Sequence, residues 1–266
     1  MSWGKIWPGK FENKVNKHYR ISFCTTCMDR LYNLKKTLPV NIEENKYYTN
    51  LEFVVLDYNS KDGLEDWIKE NMMQYILAGK VAYYRTEEPK YFSMAHSRNI
   101  AFKVATGDIV NNLDADNFTT NPTIETKECL ASYINKMANE VTEKAIFVKG
   151  KRGMHGRIGF YKNEFTDILG GYDEGLIGYG HDDHDLVKRA WSLDFTMYWY
   201  GGQYLNRIKT SGKERNQNME RAWRITEQEN TIKSAKNIEA GKFKANEGKH
   251  WGKATLIKNF EEVIEV

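Results

Sequence analysis

The sequence predicts an α/β fold in which a mostly parallel central sheet is covered by helices on both faces. Short apolar segments, typical of buried strands, alternate with segments of helical spacing from residue 19 to residue 116. Polar residues follow three of the predicted strands directly, as expected at the end of a parallel sheet that binds ligands. The chain has 266 residues, of which 41% are hydrophobic, so it can form one large core.

The first half of the chain alternates strictly between the two kinds of element. The predicted order is strand 20–25, a helix from Leu31, strand 51–57, a helix from Trp67, strand 81–84, helix 94–106 and a strand before Asp114. Pro39 is expected to end the first helix, because proline has no backbone N–H to donate. Four strands joined by helices favour parallel pairing, since each crossover returns the chain to the same edge.

The second half is more irregular, and its polar end suggests a separate extension. The predicted elements are helix 122–141, strand 145–148, an extended stretch 153–161, a short helix 165–169, helix 186–191, strand 195–200 and a long helix around 216–238. We predict an N-terminal arm at 1–18, a catalytic domain at 19–200 and a C-terminal helical extension at 201–266. The extension is a candidate lid over the active site.

The charge balance excludes some classes of partner. The 39 basic and 36 acidic residues give a net charge of +3, too balanced to indicate nucleic-acid binding. We expect a cytoplasmic protein, since there is no apolar signal segment and the three cysteines suit a reducing compartment. Cys24 and Cys27 are interpreted as packing residues rather than a redox or zinc pair. The basic extension leaves a peripheral membrane contact open, and the oligomeric state is not determined.

Asp114 and Asp116 are the first candidate site residues. They follow the strand that ends near Leu113 and would share a face if the strand continued. Two carboxylates at a strand end suit Mg2+ or Mn2+, which keeps open positions for substrate phosphates. The alternative is a solvated turn, because Asp and Asn are common turn residues. Thr25 and Asp57 end two other strands and are expected at the same rim.

A second polar cluster lies at residues 181–185, directly after Gly178-Tyr179-Gly180. It contains three aspartates and two histidines. Aspartates at a helix start are expected as caps or first-turn residues. That role can account for one or two of them but not for the whole cluster.

These motifs, in this order, resemble those of GT-A (Rossmann-like) nucleotide-sugar glycosyltransferases of the family-two type. The second half resembles the galactosyltransferase and chondroitin-polymerase branch. The resemblance covers roughly residues 19–200 and rests on residues 21–30, 54–63, 95–101, 107–108, 113–116, 170–174 and 178–183. Singly each motif is weak, but together they are specific for the fold and the donor class.

The resemblance implies an inverting, metal-dependent glycosyltransferase. It would move GalNAc, GlcNAc, Gal or Glc from a UDP-sugar donor to a glycan or another hydroxyl acceptor. Asp183 would be the general base and Asp182 would bind sugar hydroxyls. Thr25, Thr26 and Arg30 would line the nucleotide cleft.

Three further residues have an implied role and a plain structural alternative. Asp57 would accept a hydrogen bond from the uracil imide, or simply cap the loop at Asn59. Arg98 would lie near the uridine, or form a salt bridge on a surface helix. Tyr179 would stack on a sugar, or pack in the interior.

The resemblance also implies a metal site. Asp114 would reach the ribose or the metal, and Asp116 would bind Mn2+ or Mg2+ directly. The branch supplies a histidine as third ligand, and His250 would serve if the tail folded over the site. Otherwise water would complete the coordination.

Other functions stay open at this point. A retaining glycosyltransferase is one, since the fold hosts both stereochemical outcomes. A nucleotidyltransferase is disfavoured, because residues 24–28 contain no glycine to form a phosphate-binding loop. A non-catalytic protein that binds nucleotide sugars or carbohydrate is the third.

Overall fold

The structure, a computed structural model, describes residues 16–141, 143–149, 156–204 and 206–266. Most of the predicted N-terminal arm therefore lies outside the described residues, as do residues 153–155 of the predicted extended stretch. None of the described helices combines the length and the apolar run that a membrane crossing needs.

The protein has eleven strands and eight labelled helices among its described residues. The strands are β1 Ile21–Cys27, β2 Leu51–Tyr58, β3 Val81–Thr86, β4 Ile109–Asn112, β5 Asn117–Phe118, β6 Ala145–Lys149, β7 Ile158–Tyr161, β8 Thr196–Tyr200, β9 Asn206–Arg207, β10 Thr255–Lys258 and β11 Glu262–Glu265. The helices are α1 Leu31–Glu44, α2 Leu64–Asn71, α3 Met73–Leu77, α4 Met94–Val104, α5 Leu130–Glu140, α6 Asp182–Ser192, α7 Gly212–Asn216 and α8 Trp223–Glu239. Short helical turns lie at Glu164–Ile168 and Gly202–Tyr204.

Nine strands form one mixed sheet in the order β11-β10-β3-β2-β1-β4-β7-β6-β8. Only β7 and β10 run against the other seven strands. The predicted mostly parallel α/β fold is therefore confirmed. The two remaining strands, β5 and β9, form a small antiparallel ladder of their own.

Parallel pairing of the first four strands brings their carboxyl ends to one rim. In the register, Cys27 of β1 lies opposite Asp57 of β2, and Cys24 of β1 lies opposite Asn112 of β4. Asp57, near the end of β2, and the loops that carry Arg30 and Asp114 therefore lie at the same edge of the sheet. This edge is where α/β sheets bind ligands.

The sheet is buried on both faces, which explains why its central strands are almost continuously apolar. One face packs against α1, α2 and α5, with Phe23, Phe53 and Val55 pointing into that core. The other face packs against α4 and α6, with Val54, Leu56 and Val110 pointing into a second core. Both clusters are closed to solvent, so the polar rim is where the fold offers a binding site.

The prediction that Pro39 ends the first helix is wrong, because α1 continues to Glu44. The last turn is retained by tertiary contacts that outweigh the missing hydrogen bond. Asn41 is buried; it donates to the carbonyl of Asn117 at 2.9 Å and accepts from the N–H of Thr119 at 2.8 Å.

The tail also differs from the predicted helical extension. Besides α7 and α8, it contributes β10 and β11, which extend the central sheet beyond β3. Ile257 and Lys258 pair with Arg85 and Tyr84 in antiparallel register. The last residues are therefore part of the sheet's edge.

Candidate active site

Arg98 stands at the centre of a cluster of carboxylates. Its guanidinium is 1% exposed and donates to Asp182, to Asp183 Oδ1 at 2.6 Å and to Asp114 Oδ1 at 3.0 Å. These three aspartates come from two distant parts of the chain. The structure therefore joins the strand-end carboxylate and the helix-start carboxylates into one site.

Each member is positioned by a separate element. Arg98 lies on α4, whose start is capped by Ser93. Asp114 follows β4, and the side-chain amide of Asn112 donates to its Oδ1 at 2.9 Å. Asp182 and Asp183 open α6, where the unpaired backbone N–H groups favour negative charge.

The chain enters α6 through a turn that only special residues adopt easily. Gly178 and Gly180 have φ angles of 73° and 93°, and His181 has a φ of 68°. Glycine adopts this left-handed region without strain, and His181 is held there as the residue before the helix. The turn directs the first two side chains of α6 towards Arg98.

The electrostatics of the cluster are unbalanced, because one guanidinium faces three carboxylates. Burial opposes the charge of Arg98, but the carboxylates of Asp183, Asp182 and Asp114 outweigh it and raise the pKa of Arg98. Burial, together with the charges of Asp182 and Asp114, raises the pKa of Asp183 well above its usual range even though Arg98 opposes the shift. A carboxylate with a raised pKa holds a proton more readily, as a general base requires.

Asp114 and Asp116 lie close enough for their charges to interact. Burial, and then the charge of Asp114, raises the pKa of Asp116. The Oδ2 of Asp116 accepts a hydrogen bond from the hydroxyl of Thr210 at 2.8 Å. Such a pair would be stabilised by a divalent cation, which removes the mutual repulsion.

Gly156 leaves room beside these carboxylates. A Cβ at this position would lie 2.8 Å from Asp114 Oδ2 and 3.9 Å from Asp183 Oδ2. Glycine therefore lets the backbone lie against Asp114 Oδ2, while the side chain of Asp114 remains 37% exposed. The donor set fits a cation held by two carboxylates and, for the rest, by phosphate and water.

His250 does not join this group. Within the described ranges, no three His, Cys, Asp or Glu side chains gather where they could hold a metal ion. His250 is exposed, and its neighbour Trp251 packs instead against Phe165 and Lys103. The tail thus runs along α4, and the structure does not bring this predicted third ligand to Asp114 and Asp116.

The predicted cleft residues lie at the carboxyl end of β1. Thr25 is buried and donates to the carbonyl of Leu113 at 2.6 Å, which ties β1 to the approach to Asp114. Thr26 is partly exposed. Arg30 reaches the backbone carbonyl of Glu214 in α7. The extension therefore lies over the end of β1.

Asp57 caps the loop that follows β2, which was the structural alternative to its predicted contact with uracil. Its Oδ1 accepts from the N–H of Ser60 at 2.7 Å, and its Oδ2 accepts from Tyr83 and Arg85 at 2.7 Å each. It is fully buried, and burial raises its pKa. Its uracil contact stays a prediction.

Arg98 is not a surface residue, so the alternative of a surface salt bridge is wrong. Its contact with uridine stays a prediction. Tyr179 is half-buried; its ring lies edge-to-face with Trp223 at 6.0 Å, and its backbone bonds Thr226 of α8. Its packing against α8 is therefore observed, and its stacking on a sugar stays a prediction.

Sequence reasoning missed three residues of the site: Asn112, Gly156 and Thr210. Asn112 precedes Asp114 by two positions, so strand alternation could have placed them together. Gly156 lies in the predicted extended stretch 153–161, but nothing in that pattern marked it as a site residue. Thr210 carried no signal, because only the pairing of β5 with β9 brings it to Asp116.

Comparison with known proteins identifies the fold family. Residues 22–148 match the glycosyl transferase family 2 model. No curated protein matches the chain by sequence. This match covers β1 to β6 and therefore includes Arg98, Asp114 and Asp116.

Solved structures share the architecture at low identity. The mannosyltransferase PcManGT from Pyrobaculum calidifontis, in complex with GDP-Man and Mn2+, has a TM-score of 0.63 and 19% identity over 87% of this chain and 68% of that one. S. aureus TarS 1-349 with UDP has a TM-score of 0.56 and 13% identity over 83% and 72% of the two chains. GalNAc-T7 with UDP, GalNAc and Mn2+ has a TM-score of 0.57 and 15% identity over 82% and 48%.

At these identities the structures show the fold, and the family match adds the class. The fold predicted from the motifs is the one found in all three solved structures. The chain thus has the GT-A fold, and its residues 22–148 match the glycosyl transferase family 2 model, as expected for a glycosyltransferase.

Proposed function

We propose that the protein is an inverting, metal-dependent glycosyltransferase. It takes a sugar from a UDP-sugar, with GalNAc, GlcNAc, Gal or Glc as the expected sugar, and passes it to a glycan or another hydroxyl acceptor. Asp183 is the general base. One observation carries this proposal: Arg98 binds both Asp114, beside the proposed donor site, and Asp183.

This arrangement suits a single displacement. Asp183 accepts the proton of the acceptor hydroxyl while that oxygen forms a bond to the anomeric carbon. The bond from that carbon to the diphosphate oxygen breaks, and UDP leaves with the electron pair. Because attack and departure are on opposite faces of the sugar, the configuration inverts.

The neighbouring residues determine the orientation and the charge environment of Asp183. Asp183 is 15% exposed, so its carboxylate can still meet an acceptor. Arg98 fixes its orientation through Oδ1, and Oδ2 lies on the side of Gly156. Asp182 is nearly buried and bound to the same guanidinium, so its main effect on the base is through its charge.

Asp114 and Asp116 are the residues that would hold Mn2+ or Mg2+. When bound, the cation would neutralise negative charge on the departing diphosphate. The raised pKa of Asp116 and the 37% exposure of the Asp114 side chain support this assignment. Two of the neighbouring structures are complexes with Mn2+.

The nucleotide is proposed from the same comparison and from the resemblance. TarS and GalNAc-T7 are seen with UDP, whereas PcManGT is seen with GDP-Man. We therefore place UDP-sugars first and include GDP-mannose as the competing donor.

A binding and turnover panel tests the proposal. UDP-, GDP- and CMP-sugars are each added with Mn2+, Mg2+ or EDTA, and the melting temperature and nucleotide release are measured. A ligand that binds the folded state raises the melting temperature. We expect a metal-dependent shift and slow UDP release with one UDP-sugar, and a product of inverted configuration once an acceptor is added.

Three other results would contradict parts of the proposal. Turnover of GDP-mannose alone would show that the donor is not a UDP-sugar. A product of retained configuration would show that Asp183 does not act as the general base of a single displacement. Binding without any turnover would favour the non-catalytic alternative.

A further inference from the structure

Two arginines lie beside the proposed donor site, and among the described residues no carboxylate is within ion-pair distance of either. We propose that Arg157 and Arg207 bind the diphosphate of the nucleotide ligand. The proposal rests on the proposed function for the identity of the nucleotide, but its ligand chemistry, a diphosphate, is tested separately below. Neither arginine was among the residues picked out from the sequence.

Arg157 is a buried cation whose side chain donates to a neutral group. It precedes β7 directly and is 5% exposed. Its guanidinium donates to the side-chain carbonyl of Asn117, a neutral group, and its backbone carbonyl accepts from the hydroxyl of Tyr200 at 2.9 Å. Burial lowers the pKa of Arg157, while the charges of Asp114 and Asp116 partly offset this shift.

Arg207 reaches the same place from the extension. In the β5–β9 ladder it lies directly opposite Asn117. Opposed residues of an antiparallel pair project to the same face of the ladder, so Arg207 lies on the face where Arg157 binds Asn117. The ladder is prolonged by the N–H of Ile208, which donates to the carbonyl of Asp116 at 2.8 Å.

Neither arginine forms a direct ion pair with the protein. In the part of the chain that the structure describes, no carboxylate lies within ion-pair distance of Arg157 or Arg207, and the charges of Asp114 and Asp116 act on Arg157 only from a longer distance. A buried cation without an ionic partner is costly. An anionic ligand at this position would therefore find N–H donors that no carboxylate occupies, and a cation bound by Asp114 and Asp116 would reduce the repulsion from those two carboxylates.

The segment 206–218, here called the basic segment, continues across the cleft. It contains four Lys or Arg residues and one Glu. Thr210 binds Asp116, Arg30 binds the carbonyl of Glu214, and Asn218 donates to the carbonyl of Met28 at 3.1 Å. Positive charge therefore lies between the ends of β1 and β4, where the nucleotide cleft is predicted.

This distribution matches the charge of the ligand. The two aspartates suit a cation, whereas the phosphate oxygens need donors that are not already bound to carboxylates. Arginine offers a planar set of N–H groups that can bind phosphate through two parallel hydrogen bonds. Since Arg157 is shielded from solvent, salt screens its attraction only weakly. Arg98, by contrast, is already bound to three carboxylates.

Binding of three probes tests the proposal: inorganic pyrophosphate, UDP and uridine, each with Mn2+, measured by calorimetry. Arg207→Gln is the main variant, because Arg207 is exposed and its loss should not affect folding. Arg157→Lys keeps a charge at the buried position but removes the planar fork. Arg221→Gln is the matched control, since Arg221 is an exposed arginine of the same extension that is bound to Glu229.

We expect Arg207→Gln to weaken UDP and pyrophosphate binding at least about tenfold, which is about 1.4 kcal/mol, and to leave uridine binding unchanged. Arg157→Lys should do the same to a smaller extent, and Arg221→Gln should bind like the unchanged protein. Pyrophosphate binding that is equal in Arg207→Gln and the unchanged protein, or absent from both, would overturn the proposal. Pyrophosphate binding that depends on Arg207, without turnover of any UDP-sugar, would contradict only the proposed function.

Discussion

The guanidinium of Arg98 lies 2.6 Å from Oδ1 of Asp183, although the two residues are 85 positions apart in the chain. The same guanidinium is 3.0 Å from Asp114. Arg98 therefore fixes the distance between the end of β4 and the start of α6. Arg98 thus connects Asp114, a proposed metal-binding residue, with Asp183, the proposed base, through one buried side chain.

Asp183→Asn should strongly slow sugar transfer but preserve donor binding. The amide keeps the shape of the side chain but cannot accept the proton of an acceptor hydroxyl. Loss of a general base costs typically 10²- to 10⁴-fold in rate, so we expect turnover to fall in about that range. The measurement is UDP release and product formation, together with calorimetric binding of UDP.

Asp66→Asn, an exposed carboxylate change on α2, is the matched control and should leave turnover unchanged. Turnover of Asp183→Asn within a few-fold of the parent protein would show that another group takes the proton.

The pH dependence of turnover should show an acid limb set by Asp183. Burial raises the pKa of Asp183, so the protonated, inactive form persists to higher pH than for an ordinary aspartate, whose pKa is about 3.9. Activity should rise as pH increases through the raised pKa. Initial rates with the active UDP-sugar, measured as kcat/KM from pH 4 to pH 8, report this pKa.

The charge of Asp182 contributes to that shift. Asp182→Asn should therefore move the acid limb to lower pH. An acid limb that is unchanged in this variant would argue against Asp183 as the titrating group.

Gly156→Ala should weaken metal-dependent donor binding. The added Cβ would lie 2.8 Å from Asp114 Oδ2, closer than carbon and oxygen can approach, so Asp114 must turn away. We expect the Mn2+-dependent rise in melting temperature with UDP to be lost or strongly reduced.

Gly212→Ala adds the same atom where nothing lies within 4 Å and serves as control. A Gly156→Ala protein that binds UDP and Mn2+ like this control would remove Asp114 from the proposed metal site.

Arg189→Ala should destabilise the fold strongly without acting on the chemistry directly. Arg189 is buried on α6, pairs with Asp185 at 2.7 Å and donates to the backbone carbonyls of Leu169, Gly171 and Phe243. Its removal leaves a buried charge unpaired, which typically costs about 3–5 kcal/mol. Urea unfolding followed by circular dichroism measures the loss.

Arg221→Ala breaks an exposed ion pair with Glu229 and should change stability little. Equal unfolding midpoints for the two variants would show that the Asp185–Arg189 pair does not stabilise α6.

The strands that form the central sheet were predictable because burial on both faces leaves an apolar signature. β1, β2 and β3 begin within one residue of the predicted positions. Elements stabilised by distant contacts were not predictable. α1 passes through Pro39 because Asn41 binds residues near β5, and β10 is a strand because it pairs with β3.

The site was predictable only where its residues stand in local sequence motifs. Asp114, Asp116, Asp182 and Asp183 stand in short local motifs, and local spacing is visible in a sequence. Arg98 was also predicted as a site residue, but its contacts with these aspartates were not, and Asp57 caps its own loop. Gly156, Thr210 and the two arginines have no local pattern that marks them.

By itself, the sequence determined the fold class, the order of the parallel strands along the chain and the carboxylates that end them. These follow from hydrophobic periodicity and turn chemistry, which act between near neighbours. Only the tertiary structure decided which distant side chains meet: Arg98 with three aspartates, and Arg157 and Arg207 beside Asn117. Such pairings depend on sheet register and on the path of the extension, since electrostatic contacts act through space between residues that the chain keeps far apart.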